Sequence, residues 1–338
     1  MKVAVLAPVA WRTPPRHYGP REQMASNVAE GLVALGIEVT LFATADSVTA
    51  GTLAAVVARG YEEDRTQDAK VVECLHISHL MERAGEFEVI HNHFDFLPLT
   101  YSRLISTPLV TTIHGFSSEK ILAVYEKYAS TTAYVSISHA NRSPRLPYAA
   151  TVYNGLRVAD FAFTAQPDDY LLFFGRLHPD KGTAEAIEIA RRSGKRLLIA
   201  GIVQDAAYFR ERVEPLLSAN VVFLRAAGPA QRNQLLGQAR ALLHPINFEE
   251  PFGLSVAEAQ LCGTPVIAFN RGAMPELIQH GQTGFLVDAV GQAVEAVQQL
   301  STISRAACRA WASGNFSQEK MAADYLAVYR KLAGQFTT

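Results

Sequence analysis

The amino-acid sequence predicts an α/β protein with two doubly wound parallel-sheet domains. Short aliphatic runs alternate with longer segments of helical periodicity, which is typical of parallel strands covered by helices on both faces. The alternation stops at residues 156–169, which have no clear periodicity and include Pro167, and then it begins again. A length of 338 residues is sufficient for two cores of ordinary size.

The first half begins with an aliphatic run at residues 3–6, followed by a segment of helical periodicity at residues 22–35 that ends at Gly36. Further strands are predicted at residues 38–43, 89–91, 109–113, 133–137 and 151–152. The second half repeats the pattern, with strands predicted at residues 170–174, 197–200, 221–224, 241–244, 265–268 and 285–287. Its helices are predicted at residues 184–193, 230–239, 254–262 and 318–332.

Composition limits the kinds of partner. The 31 basic and 32 acidic residues nearly cancel, so no global field favours nucleic acid or an anionic membrane, and an anionic ligand needs a local site. Three widely spaced cysteines indicate buried, reduced thiols and a cytoplasmic location. The N-terminus has the pattern of a first strand rather than a signal peptide, and no run of 18 apolar residues occurs, so we expect a soluble protein without a transmembrane segment.

Two cations follow the first strand of the second half. The strand ends at Gly175, and the next residues carry Arg176 and Lys181 before Gly182 and a helix. An arginine fork and a lysine charge in a glycine-flanked turn suit a diphosphate. The alternative is a pair of solvated basic residues at a helix start. Cations oppose the helix dipole at that end, so structure alone gives little reason to place them there.

A second motif follows the strand at residues 241–244. Glu250 precedes a Pro-Phe-Gly turn, and a helix starts at about Leu254, so free N–H groups near Gly253 and Leu254 are expected to form an anion site. Glu258 lies on the same helical face as Leu254, where its carboxylate can reach a ribose diol. The alternative is two ordinary surface carboxylates.

The run EEPFGLSVAEAQLCGTPVIAFNRGAMPELIQHGQTGFLV closely resembles the C-terminal donor site of family 4 glycosyltransferases, which have the GT-B fold. Glu250 and Glu258 have the family's E-x7-E spacing, and FFGRLHPDKG resembles its phosphate loop. The resemblance implies two domains that face an interdomain cleft. It assigns residues 1–158 and a returning helix of about 318–338 to an acceptor-side domain, and residues 159–317 to a nucleotide-sugar donor domain.

The resemblance also implies a role for each matching residue. Arg176 and Lys181 would bind the donor pyrophosphate, Glu258 the ribose, and Glu250 hydroxyls of the transferred sugar. The donor-binding set further includes Gly19, Phe252, Gly253 and Leu254. Transfer would proceed with retention and without a metal or other cofactor.

The first half carries further family-like positions. Gly19 matches the first of two glycines expected before the first helix, whereas Pro20 replaces the second and removes one N–H donor. His114 follows the strand at residues 109–113, at a position that the family uses for catalysis or sugar orientation. A core histidine at a strand end is the alternative reading.

A possible acceptor side is predicted from polar and aromatic residues after strand ends. His91 and His93 lie on one strand face, but no nearby third ligand accompanies them, so a metal site is not expected. His93, Tyr18, Phe94 and Phe116 are instead predicted to line the acceptor side, with core packing as the alternative for each aromatic ring.

These features predict a retaining glycosyltransferase that moves a hexose from a nucleoside-diphosphate sugar, with UDP-glucose favoured, to a hydroxyl of a small-molecule or glycan acceptor. The catalytic residues are predicted to be His114, Glu250, Arg176 and Lys181. The alternatives are a nucleotide-sugar epimerase of the same architecture and a non-catalytic nucleotide-sugar binding protein. The residues leave open the base and sugar of the donor, the acceptor, and the choice between front-face attack and a covalent intermediate.

Overall fold

Two parallel β-sheets organise the protein, one in each half of the chain, as the alternation of strands and helices predicts. The computed structural model describes residues 1–116 and 118–335. The chain divides into a first unit, Met1–Gly155 with the residues from Gln318 onward, and a second unit, Leu156–Ser317. The fold class is therefore the predicted pair of doubly wound α/β domains.

The first unit contains a seven-stranded sheet of order β3-β2-β1-β4-β5-β6-β7. Its elements are β1 (Lys2–Leu6), α1 (Pro20–Ala34), β2 (Glu38–Phe42), β3 (Thr52–Ala54), α2 (Ala69–Met81), β4 (Val89–Asn92), β5 (Leu109–Ile113), α3 (Leu122–Tyr128), β6 (Ala133–Ser136) and β7 (Tyr148–Thr151). Short 3-10 turns lie at Ala84–Glu86, Leu97–Tyr101 and Glu119–Ile121.

The second unit contains a six-stranded sheet of order β10-β9-β8-β11-β12-β13. Its elements are β8 (Tyr170–Phe174), α4 (Thr183–Arg192), β9 (Arg196–Ala200), α5 (Ala206–Tyr208), β10 (Val221–Phe223), α6 (Pro229–Gln238), β11 (Ala241–His244), α7 (Leu254–Leu261), β12 (Val266–Phe269), α8 (Met274–Leu277), β13 (Gly284–Val287), α9 (Val290–Gln298) and α10 (Arg305–Asn315). Shorter turns lie at Val158–Asp160, Pro179–Lys181, Phe209–Val213, Glu214–Leu216 and Leu300–Thr302.

Strand β1 shows how the first sheet buries both of its faces. Val3 and Val5 pack in one hydrophobic cluster, whereas Ala4 and Leu6 pack in another. All four side chains are fully buried, because successive side chains of a strand point to opposite faces and helices cover both. The continuous apolar run of β1 is therefore that of a central parallel strand.

Four features of the first unit differ from the sequence-based expectation. Strand β3 and helices α2 and α3 were not predicted. Strand β3 has only three residues, and α2 is capped by Asp68, whose side chain accepts hydrogen bonds from the Lys70 and Val71 N–H groups. Strand β7 was expected at residues 151–152 but covers Tyr148–Thr151, since the pairing register with β6 shifts between Tyr134 and Val135.

The last helix, α11 (Gln318–Gln335), belongs to the first unit and packs on α1. Tyr325 and Tyr329 are buried in the hydrophobic cluster that also contains β1 side chains. A Cβ atom added at Gly31 would lie 2.8 Å from the Ala322 Cβ, so glycine permits the close approach of α1 and α11. Residues 336–338 of the predicted C-terminal helix lie outside the described residues.

The cysteines are only partly as expected. Cys262 and Cys308 are buried, but Cys74 is exposed on α2, which corrects the prediction that all three thiols are buried. Across residues 1–116 and 118–335, no helix combines the length and apolar character needed to cross a bilayer.

Replacing Gly31 with alanine is expected to lower the free energy of unfolding by about 1 to 3 kcal/mol, because the new methyl group meets Ala322 in a packed interface. The double variant Gly31→Ala/Ala322→Gly returns the space and should recover most of the loss. The control is Gly314→Ala in α10, where a Cβ atom has nothing within 4 Å and helix propensity favours alanine. Urea denaturation measures all three, and equal effects at Gly31 and Gly314 would contradict close packing.

Candidate functional site

The loop after β8 carries the two predicted phosphate-binding cations. Arg176 donates a hydrogen bond to the side chain of Gln204, which lies in the loop after β9. Lys181 ends the turn Pro179–Lys181, and the Asn247 N–H donates to the Asp180 carbonyl at 2.7 Å. The phosphate-like loop is thereby tied to the loop that follows β11.

Lys181 and Glu250 form a largely buried ion pair. The Lys181 Nζ contacts the Glu250 carboxylate, and the two side chains are 14% and 13% exposed. The Lys181 Nζ also lies 4.6 Å from the centre of the Phe248 ring, within cation–π distance. The two residues are thus in direct contact, whereas the sequence analysis assigned them to different parts of a ligand.

His244, the last residue of β11, lies next to this ion pair. Its Nε2 is 3.8 Å from the Glu250 Oε2, and no hydrogen-bond partner for that nitrogen exists among the described residues. Burial, with a smaller contribution from Lys181, lowers the pKa of His244 to about 3. A neutral imidazole therefore borders the buried carboxylate.

The start of α7 provides unpaired backbone donors. Gly253 is the N-cap and accepts from the N–H groups of Val256 and Ala257, whereas those of Leu254 and Ser255 have no acceptor in the described part of the chain. Such a helix start favours anions. Phe252 is 2% exposed and packs on the ring of Phe316, so its side chain belongs to the core, not to a ligand-accessible wall.

Glu258 is buried in α7 and pairs with a cation that the sequence motif does not contain. The Arg232 Nη1 lies 3.1 Å from the Glu258 Oε1. Burial raises the pKa of the Glu258 carboxyl, and Arg232 opposes that rise. A hydroxyl-binding carboxylate in this position is thus already held by a guanidinium from α6.

The structure joins only part of the predicted donor set by direct contact. Among the described residues, no hydrogen bond or ion pair links Arg176 or Glu258 to Lys181 or Glu250. Gln204 and Arg232 were missed by the sequence analysis because nothing in their local pattern marks them; only tertiary packing brings them to Arg176 and Glu258. His244 was part of the second motif but was given no role.

In the first unit, Gly19 is the N-cap of α1. Pro20, which stands in place of the expected second glycine, is the first residue of this helix. Tyr18 is 45% exposed, and its ring centre is 6.5 Å from that of Trp11. Phe94 is only 6% exposed within the hydrophobic cluster under the sheet. The ring of Phe116 packs edge-on against Tyr125, with 5.9 Å between the ring centres.

Three imidazoles form a chain in the first unit. The His114 Nε2 lies 3.0 Å from the His93 Nδ1, and the His93 Nε2 lies 3.2 Å from the His91 Nδ1. The Tyr329 hydroxyl of α11 lies 2.6 Å from the same His91 nitrogen. His93 is 1% exposed, so it is a link in this chain and not the accessible acceptor wall that was expected.

Burial lowers the pKa of His93 to about 3 and the pKa values of His91 and His114 well below their usual range. All three rings are therefore neutral near pH 7. A neutral imidazole has one N–H, so each contact needs one protonated and one unprotonated nitrogen. The tautomer of His114 is thus coupled to that of His91.

No cluster of three or more His, Cys, Asp or Glu side chains suited to a metal ion is found within residues 1–116 and 118–335. The contacts of His91 and His93 are instead hydrogen bonds to Thr112, Tyr329 and His114.

Two glycines at the ends of α4 allow a matched test of the phosphate-like loop. Gly182 (φ 71°) and Gly194 (φ 67°) both have left-handed backbones, but a Cβ atom at Gly182 would lie 1.8 Å from the Pro245 carbonyl oxygen, whereas at Gly194 it would meet nothing within 4 Å. Gly194→Ala should lower the free energy of unfolding by about 1 to 2 kcal/mol, the cost of the backbone conformation alone. Gly182→Ala should cost at least roughly twice as much. Equal losses of stability in denaturant titrations would show that Gly182 is not in close contact with the Pro245 carbonyl.

Comparisons with known proteins extend these observations. Residues 160–312 match the family described as glycosyl transferases group 1. The D-inositol 3-phosphate glycosyltransferase of Mycobacterium tuberculosis is 32% identical over 182 residues, which cover 48% of this chain and 37% of that protein. An equally similar protein of the same name comes from Mycobacterium bovis. The chain thus matches little more than a third of the length of these curated relatives.

Solved structures match over nearly the whole chain. A glycosyltransferase involved in avilamycin A biosynthesis has a TM-score of 0.74 at 24% identity, with 99% of this chain and 98% of that chain covered. Sucrose-phosphate synthase from Thermosynechococcus elongatus has a TM-score of 0.78 at 17% identity, with coverage of 99% and 100%. HepE of Anabaena, solved with UDP and glucose, has a TM-score of 0.72 at 18% identity, with both chains fully covered. At these identities the structures establish the fold, which is GT-B, and the match to glycosyl transferases group 1 lies within the second unit.

Proposed function

We propose that the protein is a retaining, metal-independent glycosyltransferase that transfers a hexose from a nucleoside-diphosphate sugar, with UDP-glucose favoured, to a hydroxyl of a small-molecule or glycan acceptor. The observation that carries the proposal is the buried Lys181–Glu250 pair. Glu250 lies four residues before Leu254, where the unpaired N–H groups at the start of α7 begin. Within one unit, the cation and the helix start suit the diphosphate of a nucleotide-sugar, and the carboxylate suits the hydroxyl groups of its sugar.

The proposed chemistry begins with an exchange of partners. A donor diphosphate offers Lys181 a stronger anionic partner than the single Glu250 carboxylate, so the lysine moves to phosphate and frees Glu250 to accept hydrogen bonds from the sugar hydroxyls. Arg176, now bonded to the neutral side chain of Gln204, is available for the same diphosphate. The charge that develops on the leaving group is then met by these cations and the N–H groups of Leu254 and Ser255, without a metal.

Glu258 is proposed to accept the two ribose hydroxyls. Its burial excludes water, and its carboxylate has two oxygens, of which Oε1 lies 3.1 Å from Arg232. Arg232 opposes the rise that burial causes in the pKa of the Glu258 carboxyl, and so favours the ionised form that accepts hydrogen bonds from hydroxyl groups.

Retention follows in this proposal from attack on the face that the diphosphate leaves. The acceptor hydroxyl loses its proton to the departing phosphate oxygen as the new glycosidic bond forms and the anomeric C–O bond breaks. His114 keeps its predicted role in catalysis or sugar orientation, and a cytoplasmic location also remains a prediction.

Nucleotide binding tests the donor assignment. UDP is expected to raise the unfolding temperature more than GDP, ADP or TDP, because UDP-glucose is the proposed donor. A ligand at 100 times its Kd stabilises the native state by about 2.7 kcal/mol. Lys181→Ala should abolish the shift. The control is Lys195→Ala. Lys195 directly precedes β9 and pairs with Asp169, and its removal should leave the UDP-induced rise in unfolding temperature intact. A full shift with Lys181→Ala would contradict the assignment.

Product analysis tests the reaction. With UDP-glucose and an acceptor panel, the new glycoside should keep the anomeric configuration of the donor in proton NMR spectra, and EDTA should leave the rate unchanged. Lys181→Ala should lower kcat/KM by roughly two orders of magnitude, corresponding to about 3 kcal/mol. Inversion, loss of rate with EDTA, an epimerised donor in the absence of acceptor, or binding without turnover would each refute a specific part of the proposal.

A further inference from the structure

A cavity of about 410 Å³ lies within the first unit, between the loop after β1, the start of α1 and the loop after β4. Its aromatic lining comes from Trp11, Tyr18, Tyr61, Phe94 and Phe96. Its size is that of a site for a small molecule, and aromatic walls of this kind bind either sugar faces or cations. The charged residues of the cavity decide between these ligands.

Glu22, Glu73 and Asp95 bring three carboxyl groups to the cavity, whereas Arg21 is the cation that lines it. Arg21 is already engaged, because its Nη1 lies 3.1 Å from the Asp95 Oδ2, and the Tyr125 hydroxyl donates to the other Asp95 oxygen at 2.5 Å. Asp95 is therefore neutralised within the wall. The other two carboxyls are not.

Glu22 is 3% exposed and forms no ion pair with any described residue. It accepts a hydrogen bond from the Trp11 backbone, and Gly19, in the same wall, is so close that a Cβ atom there would lie 3.0 Å from the Glu22 Oε2. Glu73 accepts a hydrogen bond from the Tyr61 hydroxyl at 3.1 Å and likewise has no counter-ion in the described part of the chain. A buried carboxylate without a counter-ion is costly, and a cationic ligand would supply one.

Burial of Glu22 favours its neutral form and raises the pKa of the carboxyl to about 7. Backbone hydrogen bonds and the charge of Arg21 lower this pKa, and Glu63 contributes a smaller rise. Burial also raises the pKa of Glu73, and the Tyr61 hydroxyl opposes that effect. The cavity thus repels an anion such as a phosphate ester, unlike what the name of the inositol 3-phosphate relatives would lead one to expect.

We infer that this cavity binds a small molecule carrying a protonated amine, with the ammonium group between Glu22 and Glu73 and the rest of the ligand against the aromatic rings. This molecule is the sugar acceptor, a statement that rests on the proposed function. Amine binding itself does not depend on it.

Trp11 provides a direct readout, since the chain has two tryptophans and only Trp11 lines the cavity. Tryptophan fluorescence is titrated with three probes: 2-aminoethyl glucoside, whose amine stays protonated between pH 6 and 8, the uncharged 2-hydroxyethyl glucoside, and glucose 6-phosphate. Trp11→Phe identifies the part of the signal that comes from the cavity. At pH 8 the amine is expected to bind about tenfold or more tightly than the uncharged probe, with the phosphate weakest.

The pH dependence follows from Glu22. With a pKa of about 7, roughly one tenth of Glu22 is ionised at pH 6 and roughly nine tenths at pH 8, so affinity for the amine should rise nearly tenfold over this range. The uncharged probe should show no such rise. Glu22→Gln keeps the shape of the side chain and should remove both the rise and the preference for the amine.

Glu38→Gln is the matched control, since Glu38 is exposed at the opposite, amino end of the sheet and pairs with Lys2. It should behave as the wild type. Equal or tighter binding of the uncharged probe or the phosphate, a pH-independent amine affinity in the wild type, or no amine binding would overturn the inference. If amine binding holds while UDP neither stabilises the protein nor supports turnover, the proposed function and the acceptor role fail but the cavity assignment stands.

Discussion

Parallel strand pairing is the constraint on which the candidate site depends. In the second unit β8 and β11 are hydrogen-bonded neighbours that run in the same direction, so the loops that follow them leave the sheet at the same edge. That is why Lys181 and Glu250, 69 residues apart in sequence, meet in an ion pair. The helices that return the chain between parallel strands also bring the open start of α7 to this edge.

Several charged groups near the candidate sites are neutralised by one another, and this shapes what a ligand must do. Lys181 with Glu250, Arg232 with Glu258 and Arg21 with Asp95 are pairs in which burial makes a lone charge costly. When a ligand displaces one partner of such a pair, the free energy of binding gains only the difference between the new interaction and the interaction that is lost. Glu22 and Glu73 have no charged partner among the described residues, so the charge of a ligand has a larger effect there.

The sequence predicted the sheets well because buried parallel strands are short, continuous apolar runs, and the helices between them keep a period of 3.6 residues. It missed β3, which is too short to show a period, and it misplaced β7, where a shift of register cannot be inferred from one strand alone. For the site, the motifs identified Lys181 and Glu250, which the structure brings into contact. The partners Gln204 and Arg232, and the imidazole chain from His114 to Tyr329, depend on packing between distant segments and leave no local signal.

The first unit is discontinuous, and this has a consequence for its assembly. Helix α11 supplies Met321, Tyr325, Leu326 and Tyr329 to a cluster whose other buried residues lie between Val3 and Val152, and the whole second unit is inserted between the two parts. On the ribosome, the face of the nascent sheet that carries Val3 and Val5 stays without its final cover until the second unit has been synthesised. During that interval the inserted unit can fold by itself, whereas the first unit carries an open apolar surface of the kind that chaperones bind.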